Sequence, residues 1–240
     1  MSVSLECKKI KRTGFIPAFL GGGILAALIP IVNMAVRSKN YIGLSNPPLQ
    51  ILLDANWQMM AMLNVLLIIS GACIMYHIEY ADNAIQRMKT LPRRESNMFF
   101  GKFVLIMGMF IIIFSIEVAA LAFCSLKWFP HYTDLGIDLL KNFGYCIILT
   151  LPSILLSLVI SSACKNMWVS LGIGVVCVFT ATMLSAKNFV LSLFPFALPF
   201  QTFAGTAPDK VMQYIVAAII EMVIIAIAEI VFLKVRRAFE

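Results

Sequence analysis

The sequence predicts an all-α, polytopic membrane protein with six transmembrane helices, organised as one domain over residues 1–240. Three observations carry that prediction. Apolar residues make up 61% of the 240 and charged residues only 13%, against roughly half and a quarter in soluble domains. The apolar residues fall in blocks of about 20, the length of helix that crosses ~30 Å of hydrocarbon. Lysine and arginine gather in the short links between blocks, where headgroups and topology use them. The same composition excludes a disordered chain, which needs low hydrophobicity and high charge. The net charge of +7 is assigned to the membrane surface, and no nucleic-acid partner is expected.

The blocks are 15–36, 57–78, 103–126, 143–163, 168–186 and 212–233. The first is too long for a signal-peptide core and lacks a small-x-small site after it, so a retained helix is expected. A seventh apolar stretch, 189–200 (FVLSLFPFALPF), has 12 residues and would reach only ~18 Å as a helix. Pro195 and Pro199 shorten it further. It is read as a re-entrant or interfacial hairpin between the fifth and sixth helices, packed against protein because irregular backbone is tolerated at membrane depth only there. With the N-terminus inside, 13 of the 19 Lys and Arg fall in cytoplasmic segments and 6 in outer loops, which puts both termini in the cytoplasm. Trp57, Trp128 and Trp168 then stand at helix ends, where an aromatic belt belongs. Pro30 and Pro152 are expected to kink the first and fourth helices.

Signs of an enzyme are missing. No G-x-x-x-x-G-K-[ST] phosphate loop and no H-E-x-x-H occurs. Gly21, Gly22 and Gly23 lie inside an apolar helix with no strand before them, so they are read as a close helix-packing surface. His77 and His131 fall on opposite sides of the membrane, which disfavours a metal or acid–base site built on them. The six cysteines contain no C-x-x-C pair and are read as small core residues. No catalytic, cofactor or metal residue is assigned.

Three glutamates stand inside predicted spans, where a charge costs several kcal/mol without a partner, a proton or a wet cavity. Glu117 and Glu221 share a depth ~13–14 Å below the outer surface. They are candidates for a substrate path, or else polar helix-packing residues of the kind that glue bundles together. Glu229, four residues from the end of its block, is expected to snorkel toward the cytoplasm. The longest cytoplasmic link, 79–102 (EYADNAIQRMKTLPRRESNMFFGK), is mixed in charge. Pro92 tends to end a helix just before it, so a short helix over 80–90 is expected ahead of it.

The order of these parts resembles the ABC-2 type permease family, the membrane subunits of ATP-driven exporters. The resemblance rests on a basic amphipathic start (Leu5 to Arg12), six helices, and a Glu-led link after the second helix. That link carries Leu91-Pro92 and basic residues and closes on Gly101-Lys102. A proline-bearing segment follows the fifth helix. Within the family the layout is most similar to the small permeases of lantibiotic immunity and bacitracin-resistance exporters. Their Phe-Pro-aromatic-x-x-Pro element is matched by 194–199 (FPFALP), with Phe196 where Trp is expected.

The resemblance implies an elbow helix over 3–12 along the inner leaflet. It implies an ATPase-coupling segment carrying Glu79, Tyr80, Asp82, Arg87, Lys89, Arg93 and Arg94. It further implies two copies of a separate ATPase that hold ATP and Mg, and a second permease chain, identical or homologous. Removal of a lantibiotic-like, cationic amphipathic antimicrobial peptide from the outer leaflet or the interior of a bacterial plasma membrane, for immunity or resistance, is the expected activity. The alternatives are an exporter of the same build for a drug, lipid or glycan, and a stand-alone channel or sensor.

Overall fold

Long runs of Leu, Ile, Val, Met and Phe with few breakers favour long helices, and helices dominate the computed structural model, which describes residues 2–11, 13–80, 95–129, 134–184 and 188–239. A short helix α1 (Ser2–Ile10) leads into α2 (Phe15–Tyr41), α3 (Pro48–Tyr80), α4 (Glu95–Trp128), α5 (Leu135–Ala163) and α6 (Met167–Leu184). A single turn α7 (Phe189–Ser192) and a 3-10 turn (Leu198–Phe200) precede the last helix, α8 (Pro208–Phe239). No strand occurs among the described residues. Six helices, α2 to α6 and α8, are long and apolar enough to cross a membrane. The chain is an all-α, multi-pass membrane protein.

The helices overrun the apolar blocks, most of all at α3. Its first carbonyl acceptor is Pro47, bonded by the Ile51 amide at 3.1 Å, and Pro48 takes the first helical position, where its missing N–H costs nothing. Leu49, Ile51, Leu52 and Leu53 are buried, although Asp54, Asn56 and Gln58 interrupt the hydropathy of this stretch. Trp57 therefore stands nine residues inside α3 rather than at its end. It is 5% exposed and donates from Nε1 to the Pro199 carbonyl at 3.1 Å. It is a core residue, which corrects the belt assignment. Trp168, 72% exposed near the start of α6, and Trp128, at the end of α4, do occupy helix ends. α2 continues through Pro30, and its non-helical residue is Arg37 (φ −124°, ψ 23°).

α3 and α5 form the middle of the bundle and the other helices wrap them. α2 packs chiefly on α3 and α4, α6 on α3, and α8 on α5. Among its described side chains α8 buries a narrow stripe containing Tyr214, Ala218 and Glu229, while Ile220, Val223, Ile224 and Ile227 lie bare. Such a face suits lipid contact.

The stretch between α6 and α8 lies inside the bundle. The Phe203 amide donates to Asn142 Oδ1 at 2.9 Å, and Ser153 Oγ donates to the Pro195 carbonyl at 2.5 Å. Those two α5 residues are eleven apart, or ~16 Å along the helix. With Trp57 on Pro199 and Ser192 bonded to Tyr214 at 2.8 Å, side chains of α3, α5 and α8 satisfy backbone and hydroxyl groups that no helix can.

Of the three consecutive glycines of α2, Gly22 and Gly23 set its distance from two neighbours, whereas Gly21 has open space around it and is not part of the packing surface. A Cβ on Gly22 would lie 2.4 Å from Leu67 Cδ2, the flexible tip of an α3 side chain. One on Gly23 would lie 2.6 Å from both Cβ and Cγ2 of Ile113, next to the α4 backbone. Leu67 can rotate away and Ile113 cannot. Gly23→Ala is therefore expected to destabilise the detergent-solubilised protein by about 1–3 kcal/mol through overpacking, and Gly22→Ala by less. Thermal unfolding of both variants checks this, and equal losses would contradict it.

Candidate functional site

The end of the bundle that carries α1 holds a buried cluster of charge. α1 ends at Ile10, whose carbonyl accepts from Thr13 Oγ1 at 2.8 Å, and Gly14 (φ 73°) turns the chain into α2. A left-handed residue at that point favours glycine. The turn lays α1 across the start of α4, with Ile10 buried. Glu6 and Lys9, three residues apart, share one face of α1 and reach the end of α3.

Lys102 is the centre of the cluster. It lies two turns into α4 and is 1% exposed. Its Nζ stands 2.6 Å from Glu79 Oε1 and 3.8 Å from Glu6 Oε2, and 4.8 Å from the centroid of the Tyr76 ring. Lys9 Nζ reaches the same Glu79 Oε1 at 2.9 Å and Glu6 Oε1 at 2.7 Å. Two carboxylates and two ammoniums thus balance in charge while joining α1, α3 and α4. Burial lowers the Lys9 pKa, but the hydrogen bonds and charges of Glu6 and Glu79 outweigh it and hold the ammonium above its ordinary 10.5.

A second set of bonds extends the cluster sideways. Tyr80 donates from its hydroxyl to the Ser162 carbonyl, and Ser162 Oγ donates to Glu229 Oε1 at 3.0 Å. The end of α3 is thereby tied to the end of α5 and to α8. Glu229 is 2% exposed, so it does not snorkel into water. It is held inside because its stripe of α8 faces α5. Beside it, Cys73, Ser161 and Ser170 form a triangle of contacts of 3.1–3.6 Å that joins α3, α5 and α6.

Of the coupling residues expected from the sequence, Glu79 and Tyr80 come together here. Asp82, Arg87, Lys89, Arg93 and Arg94 lie outside the described residues, as does the short helix expected over 80–90. Glu117 is fully buried on α4 and accepts from Asn64 Nδ2 at 2.9 Å. Glu221 is half-buried on the α8 stripe, and its Oε2 has no bonding partner among the described residues. No hydrogen bond or ion pair joins the two. Sequence reasoning missed Glu6, Lys102 and Ser162, and it gave Lys9 to lipid phosphates along the elbow helix, whereas Lys9 bonds Glu6 and Glu79. Lys102 had been placed at a helix boundary, among headgroup cations. The available signal was the acidic residue in each flanking segment: Glu6 within a basic run, and Glu79 opening the link that Lys102 closes. Those side chains line no described metal cluster.

Removing one member of a buried ion pair leaves the other charge uncompensated, at about 3–5 kcal/mol. Glu79→Gln, which leaves Glu6 as the one carboxylate in this cluster for both Lys9 and the buried Lys102, is expected to cost that much in detergent thermal unfolding. Lys9→Met, at the cluster's more exposed edge, should cost only about 1 kcal/mol. Because folding raises the Lys9 pKa, its contribution is complete below pH 10.5 and fades as pH climbs through the higher folded value. Unfolding of Lys9→Met beside the unsubstituted protein at stepped pH measures this; a difference already lost near neutrality would contradict it.

Residues 2–182, from α1 to within two residues of the end of α6, match the family described as ABC-2 family transporter protein. No curated protein and no solved structure matches the chain. The matched stretch contains Glu6, Lys9, Glu79 and Lys102 and stops short of the 188–203 segment and α8. With three quarters of its length in that match, and its six spans in place, the chain belongs to the ABC-2 family of transporter proteins.

Proposed function

We propose that the chain is the membrane-spanning permease subunit of an ATP-driven exporter whose ATP hydrolysis takes place in two copies of a separate ATPase. A second permease chain, identical or homologous, completes the assembly in a bacterial plasma membrane, with both termini in the cytoplasm. Family membership carries the reading, since ABC-2 permeases usually work with an ABC ATPase. The cargo we propose is a lantibiotic-like cationic amphipathic peptide, expelled for immunity or resistance. Support for the cargo comes from the Phe-Pro element at 194–199 and from the half-buried carboxyl of Glu221, which suits a cationic passenger.

The link between α3 and α4 then meets the ATPase through Asp82, Arg87, Lys89, Arg93 and Arg94, and the two helices at its roots carry Glu79, at the end of α3, and Lys102, two turns into α4. Displacement of the link moves both roots, and Lys9, bonded to Glu79, carries that displacement into α1. Motion delivered at one point thereby reaches the membrane face and the span that follows it, a rigid-element form of coupling.

Co-expression with a candidate ATPase tests the assignment. The ATPase should co-purify, and charge reversal at Arg87, Lys89 and Arg93 should release it. Failure of any ATPase to bind would favour a channel or sensor. In proteoliposomes, Lys9→Met should leave ATPase binding intact and lower ATP-driven peptide export about 5-fold or more, the size of a modest coupling energy. Unchanged export would remove α1 from the coupling path. Export of lipid or drug in place of peptide would correct the cargo alone.

A further inference from the structure

Glu117 and Asn64 face each other far from the charged cluster, near the middle of their helices. Glu117 is 0% exposed and Asn64 3%. Asn64 Nδ2 donates to Glu117 Oε2 at 2.9 Å. The two remaining oxygens, Asn64 Oδ1 and Glu117 Oε1, are buried and have no hydrogen-bond partner among the described residues. No cationic side chain among the described residues forms an ion pair with the carboxyl. α2, which packs against α4, carries no charged residue over 15–36. α3 offers only the amide, and α5 presents Cys146, a buried thiol within electrostatic range. Glu221 on α8 makes no bond to it. One turn before Glu117, Phe114 stacks on Phe110 and Phe143 and meets Trp57 edge-on, so the surroundings on that side are aromatic and dry.

An ionised carboxylate is ill-suited to this place. It would accept one hydrogen bond and leave a charged oxygen and an amide oxygen buried without a donor, in a setting where either deficit is costly. A single proton removes both deficits. On Oε1 it turns an acceptor into a donor, and the only orphaned acceptor on the facing side chain is Asn64 Oδ1. The amide then donates to Oε2 while the acid donates to Oδ1.

We propose that Glu117 is a proton-binding site, a neutral carboxylic acid closed with the Asn64 amide into a two-hydrogen-bond ring that joins α3 to α4. The bound proton comes from water, and no other bond is made or broken. Both helices must be in register for the ring to exist. Parting α3 from α4 at this depth admits water to the acid and returns the proton to it, so opening of this seam and proton release are one event. The site requires neither the ATPase nor the cargo, and its test is separate from theirs.

The test is infrared spectroscopy on the full chain in proteoliposomes near neutral pH, as the unsubstituted minus Glu117→Gln difference. The expected result is the carbonyl band of one protonated carboxyl per chain, shifted in deuterium oxide. Carboxylate bands in its place would overturn the proposal, as would thermal stabilisation by sodium or potassium that Glu117→Gln abolishes, the mark of a cation site. The glutamine variant pairs with Asn64 amide to amide without a proton, so it should fold and melt with the unsubstituted protein; failure to fold would also refute the neutral ring. Asn64→Leu removes both hydrogen bonds. It should melt lower and move the acid's carbonyl band to higher frequency, and an unmoved band would show that the amide is not the acid's partner.

Discussion

A lysine ammonium with 1% of its side chain exposed cannot be hydrated, and that constraint organises one whole end of the molecule. Lys102 must have carboxylates within reach wherever α4 goes, so α3 has to deliver Glu79 and α1 has to deliver Glu6. Gly14 makes the second delivery possible by turning the chain sharply between α1 and α2. The pair is weak evidence for stability in itself, since an apolar substitute of equal volume often does as well. What it imposes is position. Three helix ends meet at one oxygen, Glu79 Oε1, which takes hydrogen bonds from both Lys9 and Lys102. Any arrangement that separates them leaves an unpaired charge.

Away from that end, the bundle is held by shape and by neutral polar contacts. Glycines on α2, α3 and α6 let neighbouring side chains come close: Gly22 and Gly23 against Leu67 and Ile113, Gly71 against Phe19, and Gly174 against Ile69. Between helices in lipid the hydrophobic effect offers little discrimination, so close packing and hydrogen bonds decide association. Asparagine supplies the latter at Asn33–Asn56, 2.8 Å. α8 stands apart from this scheme, for its stripe is narrow and most of its surface is aliphatic.

The sequence displays the six spans openly because each is a long apolar block and hydropathy depends on composition alone. Helix ends are less legible. Asp54 and Asn56 hide the first nine residues of α3, because hydropathy averages an exposed acid and a buried, hydrogen-bonded asparagine with the apolar residues beside them and cannot tell the two apart. Lys102 is illegible for a related reason. A cation at the edge of an apolar block looks like a headgroup contact until tertiary structure places two carboxylates beside it. Glu79 and Tyr80 were singled out for their position in the link, whereas their partners, Lys9 some 70 residues earlier and Ser162 some 80 later, are long-range matches that no local pattern encodes. Glu117 was visible as a buried acid, but its Asn64 partner was not, since asparagine in a span has many possible uses.

The proline-bearing stretch between α6 and α8 has a mechanical consequence. Its Pro195 and Pro199 carbonyls accept from Ser153 on α5 and Trp57 on α3, so it acts as a keystone wedged between the two central helices. A keystone fixes a span by being loaded from both sides at once. If α3 and α5 spread, the stretch cannot stay bonded to both, and one carbonyl is left stranded in an oily interior.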